Sequence, residues 1–295
     1  MKPACRIVSL GALLLPLLLT GCSLFPTTRK LPVPKPPLVT HTITPEELVS
    51  RLNDRWATIN TLTAKVEFRA SVSKSKEGIA TDYPSVDGHI LIRKRADLRV
   101  LGYDFGISVF DMASDARCFT LSIPHNSVVM KGCGPSKKKS KNTWENLRPG
   151  FFLDAMLVRG LDPDDLYAVT ADTFTMEDPA KKHLYSVPEY LLSIMRRKVG
   201  SQELTPVRVV YFHRDDLLPY QQDIYDAEGN LETQVTYLGY QDFEGGRYPT
   251  SVTIKRPIDE IQIVLTVEDV HENQPLADDQ FVVKIPEGSK IENVN

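Results

Sequence analysis

Leu62-Thr63-Ala64-Lys65-Val66-Glu67-Phe68-Arg69-Ala70 alternates apolar residues with mostly polar ones. Successive side chains of an extended chain point to opposite faces, so this stretch predicts a strand with one buried and one solvated face. Immediately upstream the period changes. Thr44-Pro45-Glu46-Glu47 is a capping box with proline at the first helical position, and Leu48, Leu52, Trp56 and Ile59 follow at helical spacing. That pattern predicts an amphipathic helix over about Pro45 to Thr58, leading directly into the strand.

Alternation returns downstream in two series. The first covers His89 to Lys94, Leu98 to Tyr103, Ser108 to Met112, Arg117 to Ile123 and Ser127 to Lys131. The second covers His183 to Pro188, Pro206 to His213, Tyr220 to Tyr225, Glu232 to Tyr240, Tyr248 to Lys255 and Glu260 to Val270. Turn residues such as Asp226-Ala227-Glu228-Gly229-Asn230 separate them, as antiparallel hairpins require. So many long strands must curl toward a barrel or split into two sheets. Between the series, Phe151, Phe152, Leu153, Ala155, Met156, Leu157 and Val158 predict a short helix, apolar nearly all round, that stops at Gly160. Such a helix has to be buried, either as an ordinary core helix or as a lid over an opening in the sheet.

Cys118 and Cys133 flank a predicted hairpin whose loop is Pro124-His125-Asn126-Ser127. If the strands pair around that four-residue loop, Ile123 faces Val128 and Cys118 faces Cys133, close enough for a cross-strand disulfide; two independent thiols are the alternative. The six histidines are scattered without the tight spacing of a metal site, no phosphate loop or nucleophile elbow is complete, and Asp162-Pro163-Asp164-Asp165 reads as a turn. No cofactor is implied, and catalysis is not expected.

At the N-terminus, Lys2 and Arg6 precede an apolar run from Ile7 to Leu19 that ends in Leu19-Thr20-Gly21-Cys22. The run is too short to remain as a membrane-spanning helix. The box resembles the bacterial lipoprotein signal, in which cleavage precedes a cysteine carrying a diacylglyceryl group. That resemblance implies a mature chain beginning at a lipidated Cys22, holding the membrane through acyl chains such as palmitate. With Ser23 next, it also implies the periplasmic face of the outer membrane of a Gram-negative cell. Residues 1–21 are then the signal, 22–42 the lipidated cysteine and a tether rich in proline (Pro26, Pro32, Pro34, Pro36, Pro37), and 43–295 a single β body. Loss of Lys2 and Arg6 takes the net charge from −3 to −5, which argues against nucleic-acid binding. The exception is the run Lys137, Lys138, Lys139 and Lys141, either a solvated loop or a patch for anionic lipid or a protein partner.

Lipobox, capped helix, long strand, meander, buried helix and second meander, closed by Leu276-Ala277-Asp278-Asp279-Gln280-Phe281 and Ile285-Pro286-Glu287-Gly288, resemble the LolA/LolB superfamily of lipoprotein carriers. The resemblance implies a mostly β, α+β fold: one strongly curved antiparallel sheet, an incomplete barrel, with helices covering its concave face around a cavity for acyl chains. Alternation assigns Val66, Phe68, Phe151, Phe152, Met156, Leu157, Ile261, Ile263 and Leu265 to that cavity. The resemblance also offers Arg69 as a side chain that ties a lid to the barrel. Two functions follow from it. One is an acyl-chain-binding lipoprotein that localises lipoproteins or lipids; the other is an envelope sensor or adaptor that uses the same fold to hold a protein partner.

Overall fold

The computed structural model describes residues 39–74, 77–94, 96–115, 117–134, 150–178 and 183–294. Cys22, most of the tether and Lys137, Lys138, Lys139 and Lys141 lie outside the described residues. Helix α1 (Pro45–Thr58) starts at the capping box: the Thr44 hydroxyl accepts from the Glu47 amide at 3.2 Å and the Glu47 carboxylate accepts from the Thr44 amide at 2.9 Å. It hands the chain to β1 (Thr61–Lys74), where Leu62, Ala64, Val66 and Phe68 are all buried.

After β1 come β2 (Ile79–Asp82), β3 (Val86–Arg93), β4 (Asp97–Asp104), β5 (Ile107–Ser114), β6 (Cys118–Ile123) and β7 (Val128–Cys133). Helix α2 (Gly150–Met156) separates them from β8 (Asp165–Asp178), β9 (His183–Arg197), β10 (Leu204–His213), β11 (Pro219–Tyr225), β12 (Leu231–Phe243), β13 (Gly246–Arg256) and β14 (Ile261–Glu272). A last short strand, β15 (Lys290–Asn293), ends the described chain. All belong to one open, curled sheet in the order β15-β7-β6-β5-β4-β3-β1-β14-β13-β12-β11-β10-β9-β8, with β2 extending the β3 side of β1. The pairing of β1 with β14, Phe68 opposite Leu265, joins the two meanders into one surface.

The sheet departs from the sequence reading at β2, at β8, at β15 and at β9, which runs on to Arg197 where alternation is read only to Pro188. β8 is a strand that alternation did not indicate, because almost all of its residues are exposed on both faces at the sheet's edge. β15 pairs with β7 in parallel, Lys290 opposite Val128, so the sheet is not wholly antiparallel. The chain reaches that edge by crossing the face of β3 and β4 that points away from α2. There Arg93 bonds Asp278 at 2.7 Å and Arg99 bonds the Gln280 carbonyl at 2.9 Å, while Arg99 also pairs with Asp111 at 2.8 Å. The closing motif of the sequence is thus a strap across the sheet.

Two cores fill the concave side. The larger packs α2 against β1, β3, β4, β12, β13 and β14; the smaller packs Leu48, Val49 and Leu52 of α1 against Tyr190, Leu192, Ile194, Val210 and Phe212. Aromatic rings thicken the first. Phe68 meets Phe110 at 5.5 Å and Phe152 at 6.2 Å between centroids, both edge to face. Room for the Phe68 ring comes from Gly88, where an added Cβ would lie 2.5 Å from it and 2.0 Å from the Leu101 carbonyl oxygen.

Cys118 and Cys133 are opposite each other in the β6–β7 register and form a disulfide across 15 residues. Closing a loop of that size removes chain entropy from the unfolded state, worth about 3 kcal/mol. The Cys118→Ser, Cys133→Ser double variant is expected to lower unfolding stability in urea by about that amount, and reductant is expected to have no further effect on it. Equal stability of variant and parent under oxidising conditions would contradict the assignment.

Candidate functional site

A short helix leaves its last carbonyls without intrahelical partners, and α2 is buried, so water cannot supply them. Three adjacent strands do. Gln222 of β11 donates to the Asp154 carbonyl at 2.5 Å, Tyr237 of β12 to that of Ala155 at 2.9 Å, and Tyr248 of β13 to that of Met156 at 2.5 Å. Gln222 also donates to the Tyr237 hydroxyl at 2.6 Å, which links two of the three donors. α2 is clamped to the concave face by this row of side chains. The chain after it is held as well: Leu161 donates to Asn53 of α1 at 2.9 Å, and Arg208 reaches the Gly160 carbonyl at 3.1 Å. Glycine is needed at 160, since a Cβ there would sit 2.7 Å from the Asn53 side-chain oxygen.

Where the two cores meet, they do not close. A cavity of about 420 Å³ lies at the seam, walled by Leu48 and Leu52 of α1 and Ile59 just after it, Met156 at the end of α2 with Leu157 and Val158 beyond it, Phe212, Leu218 and Pro219 around the β10–β11 turn, and Tyr237, Tyr240 and Tyr248. Every tyrosine hydroxyl on this wall is already used within the protein, Tyr240 donating to the Pro219 carbonyl at 2.7 Å. The depth of the cavity therefore presents hydrocarbon and ring faces. Arg51, Arg55 and Arg247, with Asp216, stand among the lining residues as its charged members.

Burial raises Tyr237, Tyr240 and Tyr248 well above the ordinary tyrosine range, because a phenolate in this wall would lose its hydration. Burial likewise raises the Asp154 carboxyl, offset in part by Arg159 at 2.6 Å and by Arg208, and lowers Arg208 itself.

Of the residues that alternation placed at a cavity, Met156 and Leu157 line this one. Val66, Phe68, Phe151, Phe152, Ile261, Ile263 and Leu265 do not; they belong to the packed core around α2, where aromatic rings and the clamp leave the sheet filled. Arg69 does not act as a tie between helix and sheet. It lies on the opposite face from buried Phe68 with its guanidinium 3.0 Å from Glu67, and Gln222, Tyr237 and Tyr248 hold α2 instead. Among the described residues no group of three or more His, Cys, Asp and Glu side chains is arranged to hold a metal ion.

No family model matches the chain. No curated protein matches it either. Solved structures do resemble it. A LolA superfamily protein from Nitrosomonas europaea superposes with a TM-score of 0.50 at 12% identity, covering 82% of this chain and 99% of that one. A DUF1329 family protein from Desulfovibrio piger gives 0.49 at 15% identity over 80% and 95% of the two chains. A putative outer membrane lipoprotein-sorting protein domain from Vibrio parahaemolyticus gives 0.43 at 13% identity over 80% and 94%. The likeness to the first is one of fold: an open, curled sheet with helices in its concavity, of the LolA type.

Tyr248→Phe removes a donor from a buried carbonyl, which costs about 1–3 kcal/mol; urea unfolding is expected to show that loss, whereas Arg69→Ala is expected to stay within about 0.5 kcal/mol of the parent. The buried tyrosines also fix an alkaline limit. Their folded pKa values lie above the unfolded value of about 10, so the stability they confer is complete below that pH and is lost as pH rises beyond it. The part of the tyrosine absorbance change that is lost in Tyr237→Phe, Tyr240→Phe and Tyr248→Phe variants should coincide with unfolding; ionisation of these three in a folded chain would contradict their burial.

Proposed function

We propose that the protein is an outer-membrane lipoprotein, anchored through lipid on Cys22, whose β body accepts an acyl chain in the cavity beneath α1 and so takes part in localising lipids or lipoproteins at the cell envelope. The observation that carries this reading is the cavity itself. Its volume falls within the roughly 300–1,000 Å³ of ligand pockets, and its depth has no uncommitted tyrosine hydroxyl to favour a polar guest. No covalent step is needed. Each buried methylene is worth about 0.8 kcal/mol, so a chain passes between sites of graded affinity by transfer alone. The 22–42 tether gives the body reach from the membrane surface. The run Lys137, Lys138, Lys139 and Lys141, which falls between β7 and α2 in the chain, suits contact with anionic lipid or with a partner.

One observation favours the adaptor reading. At the β4–β5 hairpin tip, Phe105 is 100% exposed and Ile107 73% exposed, an apolar tip suited to a protein partner. The two readings separate in binding experiments on the soluble body made with Cys22→Ala. Displacement of a fluorescent fatty acid by saturated fatty acids of increasing length should strengthen about fourfold per added methylene until the cavity is full. Leu218→Asp, at a half-buried lining position, should weaken binding at least tenfold while the circular dichroism spectrum is unchanged. Absence of binding, or affinity independent of chain length, would overturn the carrier reading in favour of the adaptor.

A further inference from the structure

The mouth of the cavity differs from its depth. Arg51 and Arg55 stand one turn apart on α1, and Arg247 opens β13 beside them. The Arg55 guanidinium nitrogens lie 3.8 Å from where a Cβ on Gly246 would be, which places Arg55 against the start of β13. Arg55 is held by both oxygens of Glu272, whose side chain is buried. Arg51 and Arg247 are exposed and have no ion pair or hydrogen bond to another side chain among the described residues. The opposing acid is Asp216, and one of its oxygens already accepts from the Leu218 amide at 2.8 Å. Three guanidiniums thus stand at the rim of a space whose depth is apolar; Asp216 and Glu272 are engaged, and Asp242 lies opposite Arg247 in the β12–β13 register without an ion pair to it.

We infer that the ligand is an amphiphile with an anionic head, carboxylate or phosphate, whose chain lies along Leu52, Leu157 and Tyr248 and whose head is taken by Arg51 and Arg247 at the rim. The inference rests on the acyl-chain reading of the cavity and adds to it a headgroup charge. The planar guanidinium fork matches both carboxylate and phosphate oxygens, so the two head chemistries share one site. Arg55 serves as a positioning residue: its bidentate hold on Glu272 keeps α1 at the β13 edge and leaves the two exposed arginines to meet the ligand.

The test uses the soluble body with Cys22→Ala and competitors sharing one twelve-carbon chain in type: laurate, dodecyl phosphate, dodecyl maltoside and dodecyltrimethylammonium. The two anionic amphiphiles are expected to displace a fluorescent fatty acid at least about tenfold more tightly than the maltoside, the equivalent of one charge-assisted hydrogen bond, and the cationic one more weakly than all. This preference should shrink with added salt. In the Arg51→Gln, Arg247→Gln double variant the anionic competitors should fall to the level of the maltoside. Equal displacement by all heads, or a double variant that weakens every competitor alike, would overturn the headgroup assignment while leaving the acyl-chain reading intact. Failure of every chain to bind would overturn both.

Discussion

The last carbonyls of α2, those of Asp154, Ala155 and Met156, receive their hydrogen bonds from Gln222, Tyr237 and Tyr248 on three neighbouring strands. Most of the interior depends on this row of contacts. A helix as apolar as Phe151-Phe152-Leu153 must be buried, and burial would strand its terminal carbonyls if the sheet offered only hydrocarbon. By supplying three donors at the spacing of adjacent strands, β11 to β13 fix both the depth and the direction of α2. The large core then forms around it, with Phe152 edge-on to Phe68 and Arg256 lying 5.4 Å over the Phe151 ring.

The same contacts explain why open space remains where it does. α2 ends against β13, and α1 is drawn toward β9 and β10 by Leu48, Val49 and Leu52. Between them runs the segment Leu157 to Leu161, pinned by Asn53 and Arg208. Two helices fixed to different parts of one curled sheet cannot both reach the seam, and the cavity is what is left between them. Its tyrosine wall follows largely from the clamp: Tyr237 and Tyr248 direct their hydroxyls to α2 and Tyr240 directs its own to Pro219, so all three turn rings toward the space. Close packing of the core around α2 makes this seam, on the concave side, the natural place for a guest.

Much of this architecture was legible in the sequence. The alternation Leu62, Ala64, Val66, Phe68 located the strand that joins the two meanders, Thr44 to Glu47 located the helix before it, and the spacing of Cys118 and Cys133 about their turn gave the register of β6 and β7. Alternation failed for β8, which buries neither face, and for the four-residue parallel β15, which is too short to carry a period. It could say which residues are buried but not which of them border empty space. Val66 and Ile263 are apolar and inward, as a cavity residue must be, yet they face α2. Beside Met156 and Leu157, the lining is drawn from α1, the turn at Leu218 and the β12–β13 hairpin, brought together only by the curl of the sheet. Gln222 was overlooked because a glutamine amid strand residues reads as solvent-facing; its signal is that it falls between strands whose neighbours are tyrosines, and it is 0% exposed.

Native mass spectrometry of the Cys22→Ala body, taken from a periplasm without detergent, reads directly what the space between α1 and α2 holds. A bound fraction carrying an anionic amphiphile, recoverable and identifiable after denaturation, is expected. A protein that is wholly apo even after incubation with such amphiphiles, or one whose bound lipid has no anionic head, would contradict this assignment of the cavity.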